Sequence, residues 1–412
     1  MGHESSRFSH TQSLLLLPLL LLVGCASPPS TAIIGRTGSS IESGVIKIAT
    51  QSPLSGGQAV LGEAIKLGAQ LAIEEHKGPI ENAGFTVKLV PFDDQARPNV
   101  GVANAQRIVA EPNVLLVIGH LNSGVALPSS EVYKRADLAM VSPANTHPLV
   151  TDRGYPNVYR VVGRDDVQGA VAAEFAKNEL QANSAYVIHD RTLYGQGTAE
   201  FFRATAQRLG IRVAAFEGTT EKRDFTSLIQ DLHAKNPDVV FFGGIYDQAG
   251  VFFKQARAAG VRAAFLGPDG MDSSELPRVA GESVVGLHYT TVAGPPTIYP
   301  GGREFARRFL SRFGKDPEPY AAEAYDATVV GLKALGAVIQ PGGERLPTRQ
   351  EVSAAIRQVG GIQGLTGPIA FDEKGDRRLA RYFVIRVASS NPSLWGQNQL
   401  VKTIAAPPAP HR

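Results

Sequence analysis

Cysteine is almost missing from this chain: Cys25 is the only one in 412 residues. That excludes a disulfide framework and any cysteine-rich zinc site. A charge excess of one sign is missing too. Lys and Arg number 41 against 38 Asp and Glu, so a nucleic-acid partner has no electrostatic footprint here. No G-x-G-x-x-G or G-x-x-x-x-G-K-[ST] pattern follows an apolar run, which removes the phosphate cradle of a nucleotide site. Tyr194-Gly195-Gln196-Gly197 holds only a partial G-x-G, more often a turn. Neither H-E-x-x-H nor G-x-S-x-G occurs. The 9 histidines are scattered; His120, His147 and His189 fall in candidate loops, where lone histidines are ordinarily solvated or bound to backbone. The sequence therefore names no catalytic residue, no metal site and no cofactor. What it does hold is a 43% hydrophobic composition, with 43 Gly and 27 Pro. That is ample for a buried core with many tight turns, and the length suits two or three globular units.

Long apolar runs are also missing, with one short exception. Residues 14–23 are apolar apart from Pro18 and follow a polar stretch containing Arg7. The run is too short to span a bilayer, which takes ~20 residues, and suits a secretory leader. It ends in Leu22-Val23-Gly24-Cys25, which resembles a bacterial lipobox. On this reading residues 1–24 are a lipoprotein signal peptide, and Cys25 is lipidated after cleavage. The alternative is an ordinary secretory signal in which Cys25 is incidental; an isolated cysteine at this position favours the lipobox. Residues 25–44, rich in Ser, Thr, Gly and Pro, then form a flexible leash, tethering a protein that touches the membrane through its anchor alone.

Along the body, apolar runs alternate with helical periodicity. Strands are predicted at residues 45–49, 85–91, 114–118 and 138–141, with amphipathic helices between them. The pattern then restarts, with strands at 185–188, 213–216, 239–242, 264–266 and 284–288 and a late one at 381–387. This order predicts an α/β fold of two successive parallel sheets wrapped by helices. Ligands of open α/β sheets bind beyond the carboxyl ends of the strands. Asn122-Ser123-Gly124 and Pro143-Ala144-Asn145-Thr146 occupy such positions on the first sheet and offer hydroxyls and helix-opening N–H groups to a carboxylate. Gly267-Pro268-Asp269-Gly270 places a carboxylate on the second sheet, where it could meet an ammonium. Taken singly, Ser123 and Thr146 read as helix caps and Asp269 as a turn former; their joint placement at strand ends moves the balance part of the way to a zwitterion site.

Eight stretches in order carry a family resemblance. They are residues 118–123, 142–146, 188–190, 194–197, 241–244, 255–260, 266–270 and 366–376. Together they resemble the leucine/isoleucine/valine-type substrate-binding proteins of bacterial ABC importers, over residues 45–387. The resemblance implies a periplasmic binding protein type I fold, two doubly wound lobes joined by three hinge crossovers. One lobe would hold residues 45–162 plus 294–371, the other 163–293 plus 372–402, closing on a ligand by hinge motion. It implies that Ser123, Ala144 and Thr146 contact the carboxylate and ammonium of an amino acid, that Tyr194 covers it, and that Asp269 holds the ammonium where the family commonly has a glutamate. Leu61 and Ile245 stand where leucine-binding members typically carry tyrosine, and Tyr320 lines the same pocket, so a wider, more aliphatic pocket is implied. Tyr246 either replaces the missing ring or is a surface tyrosine. The implied protein is a monomer at the periplasm or cell surface, anchored through Cys25. It would deliver a branched-chain or related aliphatic amino acid to permease and ATPase subunits. The alternatives are a sensor of the same fold for an amino acid or amide, and a serine hydrolase built on Ser123 with His120.

Overall fold

The run Val114–Gly119 is buried along its whole length, as a strand covered by helices on both faces must be. In the computed structural model, which describes residues 44–409 apart from 341, 343, 344 and 360, it forms the middle of a parallel five-stranded sheet. The strands are β1 (Val45–Ser52), β2 (Thr86–Asp93), β3 (Val114–Gly119), β4 (Ala139–Ser142) and β5 (Val158–Arg160). Their order is β2-β1-β3-β4-β5, with every pairing parallel. The predicted leader, Cys25 and the leash up to residue 43 lie outside the described residues.

The second sheet is built from β6 (Ser184–His189), β7 (Arg212–Gly218), β8 (Val239–Gly243), β9 (Ala264–Gly267) and β10 (His288–Thr291). A small antiparallel pair, β11 (Ile362–Gly364) with β12 (Gly367–Ile369), follows later. The chain then returns to add β13 (Ala380–Arg386) and β14 (Gln399–Ala406), giving the seven-stranded order β14-β13-β10-β9-β8-β6-β7. β13 and β14 run antiparallel to their neighbours. Helix Ala321–Val338 lies on helix Ala59–His76 and reaches β3 and β4, so the segment between β10 and β12 belongs with the first sheet. The chain thus passes between the two sheets three times, after β5, β10 and β12, as a doubly wound two-lobed fold requires. One hydrophobic cluster extends from Ile48, Leu116 and Ile118 on the first sheet to Ile188, Val240 and Phe242 on the second.

The elements differ from expectation in three respects. The strand predicted at 284–288 lies later, at His288–Thr291, because Gly281–Val284 forms a 3-10 turn and Gly286 takes φ 86°, a left-handed conformation that interrupts a strand. Strand 381–387 is not the last: β14 follows it on the sheet edge, with most of its residues exposed. Helices also start nearer to the strand ends than periodicity indicates. Periodicity predicts starts at residues 129, 197 and 248, whereas the helices begin at Ser123, Leu193 and Tyr246.

Candidate functional site

The first rim grows from the ends of β3 and β4. Asn122 caps helix Ser123–Arg135 in an extended conformation. The first intrahelical bonds run from Val125 and Ala126 to the carbonyl of Asn122, so the N–H groups of Ser123 and Gly124 precede them, as at any helix start. The Ser123 hydroxyl accepts a long hydrogen bond from the His147 N–H, at 3.4 Å. Asn145 ties the two loops together: its Oδ1 accepts from the His120 N–H (3.0 Å) and the Ser142 hydroxyl (2.8 Å), and its Nδ2 donates to the Leu121 carbonyl at 2.9 Å. From β5 the buried Arg160 donates to the carbonyls of Asn145 and His147, each at 3.0 Å, and pairs with Asp376. Ala144 and Thr146 are therefore held in a fixed, buried loop.

The second rim is built on Asp269, which opens a 3-10 turn after β9 and is 1% exposed. The Tyr194 hydroxyl donates to its Oδ1 (2.7 Å) and accepts from the Gly270 N–H at 2.7 Å. Gln168 Nε2 donates to the same oxygen at 2.8 Å, and the Tyr320 hydroxyl to Oδ2 at 2.7 Å. Tyr194 lies in the first turn of helix Leu193–Arg208, whose cap Thr192 accepts from the Gly195 N–H. Tyr320, at φ 71°, caps helix Ala321–Val338, so it reaches Asp269 from the first-sheet side. Burial pushes the Asp269 carboxyl upward, against the pull of Tyr194, Tyr320 and Gln168. Burial also raises both tyrosine hydroxyls well above their ordinary range, with the Asp269 charge adding to it.

Asp165 joins the rims. Its N–H donates to the Thr146 carbonyl at 2.9 Å, and Gln168 follows on the same helix, Asp165–Asn178. Neither Asp165 nor Gln168 was singled out from the sequence, where an acidic residue opening a helix reads as a partner of the dipole. Thr146, Tyr194, Asp269 and Tyr320 are thus linked through Asp165 and Gln168; Ala144 lies on the same loop as Thr146, and Ser123, at the start of the helix after β3, meets that loop through the His147 N–H. Leu61, Ala144, Tyr194, Ile245 and Tyr320 all belong to the hydrophobic cluster that spans the sheets. Leu61 lies in the first turn of helix Ala59–His76, and Ile245 caps helix Tyr246–Ala258. A separate cavity of about 700 Å³, lined by none of these residues, opens between Val60, Glu63 and Pro319 on one side and Asp272, Ser274 and Trp395 on the other.

Two alternative readings fail on geometry. Tyr246 is not a surface residue: it is 1% exposed and donates to the Gly57 carbonyl at 2.6 Å, because the 55–58 loop folds over the start of its helix. Nor does His120 serve Ser123 as a base. Its ring nitrogens face Asp94 and the Tyr133 hydroxyl, each at 3.4 Å. His147 is pushed down to about 4 by burial and then Arg160, so its ring is neutral at neutral pH. Among the described residues no cluster of three or more His, Cys, Asp or Glu is placed to hold a metal ion, and no helix is long and apolar enough to cross a membrane.

With this geometry in hand, comparison with known proteins places the chain among relatives of the same size. A family model described as periplasmic binding protein matches residues 45–392. An amino acid binding protein of Pseudomonas aeruginosa is 33% identical over 357 residues, 86% of this chain and 92% of the relative. A Leu/Ile/Val-binding protein homologue of Brucella abortus is 33% identical over 352 residues, 85% and 92% of the two chains. Among solved structures, the leucine binding protein LivK of Thermotoga maritima superposes with a TM-score of 0.78 at 30% identity, covering 87% of this chain and 98% of that one.

Proposed function

The chain belongs to the periplasmic binding protein family, and from that premise we propose that it captures a branched-chain or related aliphatic amino acid between its two lobes and passes it to the permease and ATPase of an ABC importer. Its role is binding and release, without turnover. The observation that carries this reading is the linkage, through Asp165 and Gln168, of the hydroxyl-bearing rim of Ser123 and Thr146 with the carboxylate and tyrosines of the opposite rim. A helix start and hydroxyls suit an anion, and buried carboxylates suit a cation. An amino acid carries both within one small molecule.

In this reading the lobes are residues 45–162 plus 294–371 and residues 163–293 plus 372–402, the second extended by β14 to Ala406. Ser123, Ala144 and Thr146 take the carboxylate end and part of the ammonium, and Tyr194 and Asp269 close over it. Leu61, Ile245 and Tyr320 surround the side chain. The protein works as a monomer tethered through lipidated Cys25. Calorimetric titration of the purified protein with the proteinogenic amino acids tests the central part. One-to-one binding concentrated on aliphatic members is expected; silence across the whole set and its amides overturns amino-acid capture.

A further inference from the structure

The stretch 366–376, the last of the ordered motifs, lies far along the chain from both rims. Yet its Asp376 is 1% exposed and bonds to both sides of the junction between Thr146 and Asp165. Residues 372–376 belong to the third crossover, between β12 and β13. Resting on the functional reading above, we propose that Asp376 is a positioning residue at the pivot of the hinge. Through Arg160 and Arg164 it holds the Thr146 loop of the first lobe in register with the start of helix Asp165–Asn178 in the second, and it keeps both bonds as the lobes open and close.

The donor count carries this assignment. Arginine has five N–H bonds in a rigid fork, and Arg160, the fully buried last residue of β5, uses all of them. Four go to one stretch of the first rim: to the carbonyls of Asn145 and His147 at 3.0 Å each, the Pro148 carbonyl at 3.4 Å and the Thr151 hydroxyl. The fifth, from Nε, goes to Asp376 Oδ1. The Thr151 hydroxyl in turn donates to the same oxygen at 2.7 Å. Asp376 Oδ2 accepts from Arg164 at 2.8 Å. Arg164 is the extended cap of helix Asp165–Asn178, and its own N–H donates to the Tyr382 hydroxyl on β13 at 2.8 Å. Asp152 and Asp166 take up the rest of its guanidinium. One carboxylate thus grips an arginine from each lobe, and between those arginines the Asp165 N–H meets the Thr146 carbonyl at 2.9 Å.

The turn that carries Asp376 is itself seated on the first crossover. Asp372 Oδ1 accepts from the N–H groups of Lys374 and Asp376 at 2.9 Å each, and the Asp372 N–H donates to the Asp376 carbonyl at 2.8 Å. Gly375 takes φ 94°, and its carbonyl accepts from the Arg160 N–H at 2.9 Å. A Cβ there would stand 2.1 Å from the Val158 carbonyl oxygen, so only glycine lets the turn lie this close to β5. Next to it Arg377 donates to the Val161 carbonyl at 2.8 Å and to the carbonyls of Thr366 and Pro368. The first and third crossovers are therefore stapled side by side, where rotation of the lobes displaces atoms least. Burial raises the Asp376 carboxyl, but the charges of Arg160 and Arg164 outweigh it and hold it below its ordinary range. A buried ion cluster is a weak source of net stability, and register is the better-attested use of one.

The test measures binding of L-leucine, L-isoleucine and L-valine, and urea unfolding, on wild type, Asp376→Asn, Arg160→Lys and a control, Ile211→Ala. Ile211 is 2% exposed in a separate hydrophobic cluster. Lysine keeps the charge facing Asp376 but replaces the five-donor fork by three donors on one atom. All three variants should lower the unfolding midpoint. Measured where each is fully folded, Asp376→Asn and Arg160→Lys should weaken binding roughly 10- to 100-fold, the value of one hydrogen bond to a charged group. The loss should appear mostly as faster dissociation. Ile211→Ala should bind within about a factor of three of wild type. Wild-type affinity in either cluster variant, or an equal loss in the control, makes the cluster a stabiliser only and overturns the assignment. If neither cluster variant folds, crystal structures of the wild type with and without L-leucine decide. Asp376 bonded to both arginines at two different lobe angles supports the pivot, and either bond broken in one of them overturns it. Wild type that binds none of the three amino acids removes the functional reading and this assignment with it, whereas binding with the wrong variant pattern removes the assignment alone.

Discussion

Asp272 lies three residues beyond Asp269 and is 5% exposed, accepting from Trp395 Nε1 at 2.9 Å and the Tyr289 hydroxyl at 3.0 Å. Burial pushes it up to about 7, against those two hydrogen bonds. In the unfolded chain the same carboxyl titrates near its ordinary value of about 4. Between those limits the folded protein holds a proton that the unfolded chain has released. Stability from this group therefore falls as pH rises through the window and levels off above about 7, a change on the order of 4 kcal/mol. Guanidinium unfolding at pH 4.5 and pH 7.5 should show that Asp272→Asn loses less stability across the interval than wild type; equal losses would show that the carboxyl ionises freely. At this scale the sequence was legible in placing Ser123, Thr146 and Asp269 just beyond the ends of β3, β4 and β9. It was silent on Asp165 and Gln168, whose meaning comes from Thr290 and Asp269, more than 100 residues away in the chain. Asn145 was read as part of a motif, but its role as the tie between two loops depends on the side-by-side placement of β3 and β4.

Helix Ala59–His76 approaches helix Ala321–Val338 more closely than side chains ordinarily allow. A Cβ on Gly68 would stand 2.1 Å from the carbonyl oxygen of Ala321, the residue next to Tyr320. That contact is backbone and cannot rotate away. Gly68→Ala should force the helices apart, cost about 1–3 kcal/mol in urea unfolding, and weaken ligand binding by displacing Tyr320. An unchanged unfolding midpoint would show that the pair slides without strain. Elements with continuous apolar runs, such as β3 and β8, were legible because burial on both faces leaves no polar alternation. β14 was not, since an exposed edge strand with residues such as Gln399, Lys402 and Thr403 carries little hydrophobic signal. Helix starts were read late because periodicity becomes visible only after the first buried residues, whereas the helices begin directly after the extended Asn122 and the capping Thr192.

Across the whole molecule, groups on the two lobes meet directly. Tyr246 bonds to Gly57, Tyr320 to Asp269, and Ser274 to Glu318. Hinge opening along the three crossovers must exchange these bonds for water, which leaves the ligand's own contacts to tip the balance toward closure. The two-lobed plan was legible from the repeated β-α alternation and the ordered motifs, but the distances across the cleft were not, because they join segments far apart in the chain. The central claim is that both charges of a free amino acid are gripped at once. Titration with L-leucine, L-isoleucine and L-valine beside their N-acetyl and C-amide derivatives tests it most directly. The account predicts that the free amino acids bind and that blocking either end costs at least about 100-fold. Derivatives that bind as tightly as the parent amino acids would contradict it.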